Sequence, residues 1–153
     1  MQANTELKQQ TAADITPVYP ATETEPAYAG PNAQGLWFTD RIGTDEMTYA
    51  ELEKAVKECR AGGFDDWRIP TLHEQFGEVD HTKFNPATDA NKYPNITGGW
   101  YWTSTECAWS KDEKGVASLF WVVNFSYGDV LDSRRSYNAF ARAVRGGGAP
   151  ASQ

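Results

Sequence analysis

The chain shows no sustained apolar pattern before residue 35 and a dense one after it. Residues 1–34 hold Pro17, Pro20, Pro26 and Pro31 among Thr, Ala and Glu, with Val18, Tyr19 and Tyr28 as the sizeable anchors. Such a segment reads as a disordered tail; the alternative is an extended arm whose tyrosines fill pockets on a neighbouring subunit. Leu36-Trp37-Phe38-Thr39 predicts a first strand. Thr48 and Glu51 have the spacing of a capping box, with Met47 and Leu52 as its hydrophobic staple. Leu52, Ala55, Val56 and Cys59 then recur at helical spacing until Gly62-Gly63 ends the run. Thr71 and Glu74 repeat the box after Pro70, predicting a second helix over 72–79 with Leu72, Phe76 and Val79 inward. Residues 80–99, punctuated by Asn85-Pro86, Tyr93-Pro94 and Gly98-Gly99, read as loop. Strands follow at 100–104 and 119–125, then a turn at 126–129 and a short strand near Val130-Leu131. Phe140, Arg142 and Val144 alternate with Ala141, Ala143 and Arg145 in a final strand, and 147–153 reads as a flexible tail. Helices early and hairpins late predict an α+β globule over 35–146 with two helices and a small antiparallel sheet, preceded by the arm.

Composition narrows the function classes without naming one. At 153 residues and 40% apolar content the chain can bury one core unaided by metal or disulfides. A formal charge of -7 opposes broad binding to nucleic acid, whose backbone it would repel. No apolar window is long enough to span a membrane, and the polar start MQANTELKQQ lacks the apolar core of a secretory signal. The expectation is therefore a protein that stays where it is made or leaves by assembly or lysis. Cys59 and Cys107 permit one bridge, but the missing leader favours two free, buried thiols.

No catalytic constellation emerges. Glu74, Glu78 and Asp80 are acidic neighbours, with 74 and 78 on one helix face, and read as a solvated surface rather than an acid–base pair. His73 and His81 lack the tight grouping of metal ligands, and neither cysteine has a base beside it in sequence. Gly146-Gly147-Gly148 lacks the lysine and helix of a phosphate-binding loop. No enzyme activity, cofactor or metal is expected.

Several blocks fall in a recognisable order: Gly63-Phe64-Asp65-Asp66-Trp67-Arg68-Ile69-Pro70-Thr71 with Glu74, Tyr101 to Thr105, Trp121 to Phe125 with Gly128, and Ala141 to Arg145. Together they resemble the DUF1566 family, also called the C-terminal domain of Legionella collagen-like proteins, over roughly residues 35–146. The resemblance implies a fold similar to C-type lectins, with a small sheet joining the termini and a loop-rich aromatic half. Relatives act as adhesins, bacterial surface modules and phage receptor-binding or other virion proteins. The chain departs from the family where Gln75-Phe76 follows Glu74 and where Ala143 replaces a frequent cysteine. It also lacks the EPN and WND tripeptides of calcium-dependent sugar binders.

Trp67 and Arg68 offer a stacking face and a planar donor fork, but the structural reading is preferred: Trp67 buried, Arg68 bonded to loop carbonyls or paired with Asp65 or Asp66. Pro70, Trp102, Trp121, Arg142 and Arg145 are likewise expected to be structural. Trp100, Tyr101 and Trp102 are consecutive, so part of the cluster must enter the core and the rest is open to a ligand. Trp109, Tyr127 and Asn138 lie in loops and turns, where display is easier than burial. In hypervariable relatives the display residues lie toward this end, which adds Ser126, Asp129, Arg134, Arg135 and Tyr137 to the candidate binding surface. The expected function is a non-enzymatic virion structural or attachment module of phage type, made in the host cytoplasm and assembled with other virion or self subunits through its arm. The alternative is an adhesion domain binding host glycan or protein with its aromatic and C-terminal loop surface, in the bacterial cytoplasm or at the cell surface.

Overall fold

Two capping boxes fix the helices. In the computed structural model, which describes residues 16–146, Thr48 donates its N–H to Glu51 Oε1 at 2.8 Å while its Oγ1 accepts from the Glu51 N–H at 3.4 Å. Helix α1 (Tyr49–Glu58) follows and buries Tyr49, Leu52 and Val56. Gly62 ends that segment at φ 66°, a left-handed conformation that costs glycine nothing. Thr71 and Glu74 form the same reciprocal pair at the start of helix α2 (Leu72–Phe76). The helix is shorter than the expected 72–79. Gly77 caps it, donating to His73 O at 3.0 Å, and the chain then turns so that Glu78 faces a buried guanidinium. Phe76, expected inward, is 40% exposed, and Gln75 occupies the buried position instead.

The strands form two small antiparallel sheets where the sequence predicts one. The first has the order β1 (Val18–Tyr19), β2 (Tyr28–Ala29), β3 (Leu36–Thr39), β7 (Val144–Gly146). The second has the order β4 (Trp100–Glu106), β5 (Leu119–Asn124), β6 (Val130–Arg134). The boundary expected at residue 35 therefore falls inside a sheet: Ala29 pairs with Phe38, Val18 with Ala29, and both Ala27 and Ala29 are buried. The tyrosines expected to reach a neighbouring subunit pack within the chain. Tyr19 stacks on Tyr28 at 4.6 Å, and Tyr28 meets Trp67 edge-on at 5.8 Å. Residues 16–34 belong to the domain; the rest of the arm and the 147–153 tail lie outside the described residues.

In the second sheet β4 and β5 are covered on both faces, while β6 is largely exposed. Trp102, Phe120 and Val122 pack with Tyr49, Leu52 and Val56 of α1. On the other face Tyr101, Val123 and Phe125 meet Leu36, Phe38 and Val144 of the first sheet. Double coverage explains why the end of β5 reads as an apolar run rather than a half-buried alternation. The final strand is also shorter than expected. Residues 139–143 form isolated bridges rather than a strand, and their hydrogen bonds are shared among several partners: Phe140 exchanges bonds with Trp100 and Trp102, Ala141 O accepts from Ile42 and Ala143 O from Thr39. Both Cys59 and Cys107 are free and buried.

Candidate recognition surface

The distinctive 63–74 block is a clasp on the C-terminal strand. Arg68 Nη1 and Nη2 each donate to a different oxygen of Glu74 at 2.7 Å, and Nη2 also reaches Gly146 O at 3.2 Å. Glu74, expected on a solvated face, is thus the shared acceptor of Arg68 and of the Thr71 N–H. Asp66 pairs with Arg145 rather than Arg68, at 2.6 and 3.1 Å, and the Arg145 guanidinium lies 3.6 Å from the Phe64 ring centre. Trp67 is buried and donates from Nε1 to Ala61 O at 3.0 Å, while Pro70 is buried with its carbonyl accepting from Ser104 N.

Burial alone would raise the Glu74 carboxyl, but the bonds from Arg68 and Thr71 outweigh it and hold the group below its ordinary 4.5. A carboxylate whose folded value is depressed contributes stability in full above its unfolded value and loses it as pH falls through the folded one. Urea unfolding midpoints are therefore expected to drop steeply once the pH passes below about 4.5. Glu74→Gln is expected to flatten that drop and to cost about 2 kcal/mol at neutral pH. An unchanged acid slope in Glu74→Gln would show that this pair does not set the acid limit.

Arg142 is a charge in the core. It is 0% exposed, donates from Nε to Thr39 O at 3.0 Å and from Nη1 to Gln75 Oε1 at 3.3 Å. Its guanidinium lies 4.3 Å from the Tyr93 ring centre and 4.7 Å from that of Phe38. Among the described residues Nη2 has no hydrogen-bond partner, and the nearest carboxylate is Glu78, with Oε1 at 3.6 Å. Glu78 Oε1 also accepts from the Tyr93 hydroxyl at 2.7 Å, so this residue too, expected on the solvated face, belongs to a buried network. Burial pushes the Tyr93 phenol up, beyond any physiological titration.

The structure splits the candidate binding residues between opposite ends of β6. At one end, Leu119 pairs with Arg134 across the sheet, and the short helical turn 108–110 is tied to Leu119 through Ser110 Oγ. Trp109 stands there 66% exposed, with Tyr137 57% exposed and exposed Arg134, Arg135 and Asn138 nearby in the chain. Arg134 lies 5.9 Å from the Tyr137 ring centre and Arg135 4.9 Å from that of Phe120. Trp121 and Asp132, opposite one another in the register, are half-buried between the two ends.

At the other end sit Ser126, Tyr127 and Asp129. Ser126 is half-buried and accepts from the Gly99 N–H at 2.9 Å, whereas Tyr127 is 72% exposed and Asp129 is exposed. The loop from residue 80 clamps this turn at three places: His81 Nε2 to Gly128 O, Asn85 N to Ser126 O and Ala87 N to Phe125 O. Phe84, 75% exposed between two of those ties, joins Tyr127 at this end. Phe84 lies in the 80–99 loop without a turn signal of its own, and its display becomes evident from its exposure beside the clamp. Trp100 is half-buried and Tyr101 and Trp102 are buried, so that cluster is core.

This arrangement defines an α+β domain whose termini share one sheet and whose long loops present aromatic side chains from a second. The sequence profile of the Lcl C-terminal domain, the DUF1566 type, matches residues 20–145, and the chain belongs to that family. The match takes in β1's neighbour Pro20 and the whole of β2, in keeping with a domain that starts before residue 35. Comparison with curated proteins gave no significant match.

Proposed function

We propose that the chain is a non-enzymatic attachment module of the kind carried by phage virions, working by protein contact through the end of the second sheet that bears Trp109, Arg134, Arg135, Tyr137 and Asn138. The observation that carries this reading is the concentration there of exposed aromatic and arginine side chains on a rigid base. These are the residue types that dominate contact energies at interfaces, and holding them in place beforehand lowers the cost of binding. The C-type-lectin-like architecture that the family resemblance implies is part of the same proposal, since it places recognition on loops. The backbone of β2 is engaged on both sides within the chain, so assembly through residues 18–29 would use the outer edge of β1 or the exposed Val18 and Tyr19 side chains.

A second reading, recognition of a host glycan or surface protein, is favoured by the separate display of Tyr127 and Phe84. Light scattering on the full chain tests the first: an oligomer is expected, becoming a folded monomer in a Trp109→Ala, Tyr137→Ser double variant. A monomer before any substitution would remove self-assembly. A saturable signal on a glycan array that disappears in Tyr127→Ala would move the function to the second reading.

A further inference from the structure

Each of the two sheets has two edges, and three of these edges are covered or blunted. Arg68 covers β7 by exchanging both backbone bonds with Val144. Along β4, Phe140 bonds Trp100 and Trp102, and Pro70 O accepts from the Ser104 N–H. β1 is two residues long and lies between Pro17 and Pro20. Shortness and flanking proline are ordinary ways of keeping an edge single. β6 has neither. It pairs with β5 in unbroken register from Val130 to Arg134, contains no proline, lysine or bulge, and leaves Leu131 53% and Val130 38% exposed.

The ladder shows which backbone groups point away from β5. The Asn124 N–H bonds Asp129 O, so by alternation Leu131 and Ser133 bond β5, while Val130, Asp132 and Arg134 turn their N–H and C=O outward. The Arg134 carbonyl accepts from the Tyr137 N–H at 3.0 Å; among the described residues no backbone bond reaches the outer groups of Val130 and Asp132. The charges along this segment select its partner. Exposed Asp129 precedes β6, and exposed Arg134 and Arg135 end it. A second copy laid antiparallel sets its basic end against this acidic one, whereas a parallel copy sets like charge on like. The register is also restricted. A two-fold axis at Asp132 would place two carboxylates directly opposite one another. An axis at Ser133 would require the Arg134 carbonyl, which the 135–137 turn already engages. An axis at Leu131 lets Val130 of each copy exchange both bonds with Asp132 of the other and sets the two exposed leucines side by side.

We propose that β6 pairs antiparallel with β6 of a second copy of this chain about a two-fold axis at Leu131, joining the two second sheets into one. The proposal rests on the reading of the chain as a module that works by protein contact, and it names the partner and the strand. It also reunites the divided candidate surface: Tyr127 and Asp129 of one copy come beside Arg134, Arg135 and Tyr137 of the other. Light scattering on the full chain is expected to give twice the mass of one chain. Leu131→Lys, a change at an exposed position, is expected to give a monomer with an unaltered circular dichroism spectrum. A second measurement reads the register. Facing residues at such a position have Cα atoms about 4.5 Å apart, within reach of a disulfide. Leu131→Cys is therefore expected to form a covalent dimer with oxidised glutathione. Ser133→Cys is expected to stay uncrosslinked, because its two copies lie roughly 13 Å apart along the strands. A native monomer overturns the proposal together with self-assembly, and spares contact with a foreign protein. A trimer, which one two-fold axis does not build, overturns it as well. An oligomer that survives Leu131→Lys but is lost in the Trp109→Ala, Tyr137→Ser double variant removes the strand pairing while keeping contact through that end. Crosslinking of Ser133→Cys in place of Leu131→Cys rejects the axis at Leu131.

Discussion

Arg142→Ala is expected to cost about 3–5 kcal/mol, a large part of the stability of a domain this size. Three losses combine. Thr39 O, Gln75 Oε1 and Glu78 Oε1 each lose the donor or cation that faces them in the interior. The Glu78 carboxylate is left beside a cavity with, among the described residues, the Tyr93 hydroxyl and the Asn32 side-chain amide to stabilise it. The rings of Tyr93 and Phe38 lose the flat cation packed against them, and the vacated volume stays partly empty. Arg142→Lys keeps the charge but cannot bond Thr39 and Gln75 at once with a planar fork, so an intermediate loss of about 2 kcal/mol is expected. Urea unfolding of the three proteins measures this directly. A loss for Arg142→Ala within about 1 kcal/mol would show that neither the network nor the packing of this side chain adds much.

Trp102→Ala is the second large effect, expected at about 3–5 kcal/mol. The side chain is 0% exposed, packs edge-on against Tyr49 of α1 at 5.2 Å, and donates from Nε1 to Met47 O at 2.8 Å. One residue thus joins β4 to the helix and to the segment that enters it. Trp102→Phe keeps most of the packing and leaves Met47 O without this donor, so a loss of about 1–2 kcal/mol isolates the hydrogen bond. Thermal unfolding followed by circular dichroism distinguishes the two. Equal losses in Ala and Phe variants would mean that packing against Tyr49 contributes little.

The parts of this fold that are local in sequence were legible there. Thr48 with Glu51 and Thr71 with Glu74 are three residues apart, so each capping box is written in one short stretch and both helices start where the sequence places them. β4 and β5 announce themselves by dense aromatic and β-branched residues, and Tyr127 by its turn. What failed to show depends on distant partners. β1 and β2 are two residues each, too short for periodicity, and exist because β3 offers an edge. The end of α2 at Phe76 is set by the buried cation that draws Glu78 inward, a contact 64 positions along the chain. Arg142 is expected to be structural, but nothing in the sequence names Thr39, Gln75 and the rings of Tyr93 and Phe38 as its partners. Charge pairing was similarly hidden: Asp66 and Arg68 are neighbours in sequence, yet one holds Arg145 and the other Glu74. The candidate surface was visible residue by residue, but its division into two ends was not, because β6 separates positions that the sequence lists together.

The first sheet also fixes where the domain can be joined to anything else. Its strands run β1, β2, β3, β7, each antiparallel to the next, so β1 begins and β7 finishes at the same end of the sheet. Three strand spacings put Val18 and Gly146 about 15 Å apart across it. A host protein could splice the domain into a surface loop across a gap of that width, with neither its own strands nor these two sheets displaced.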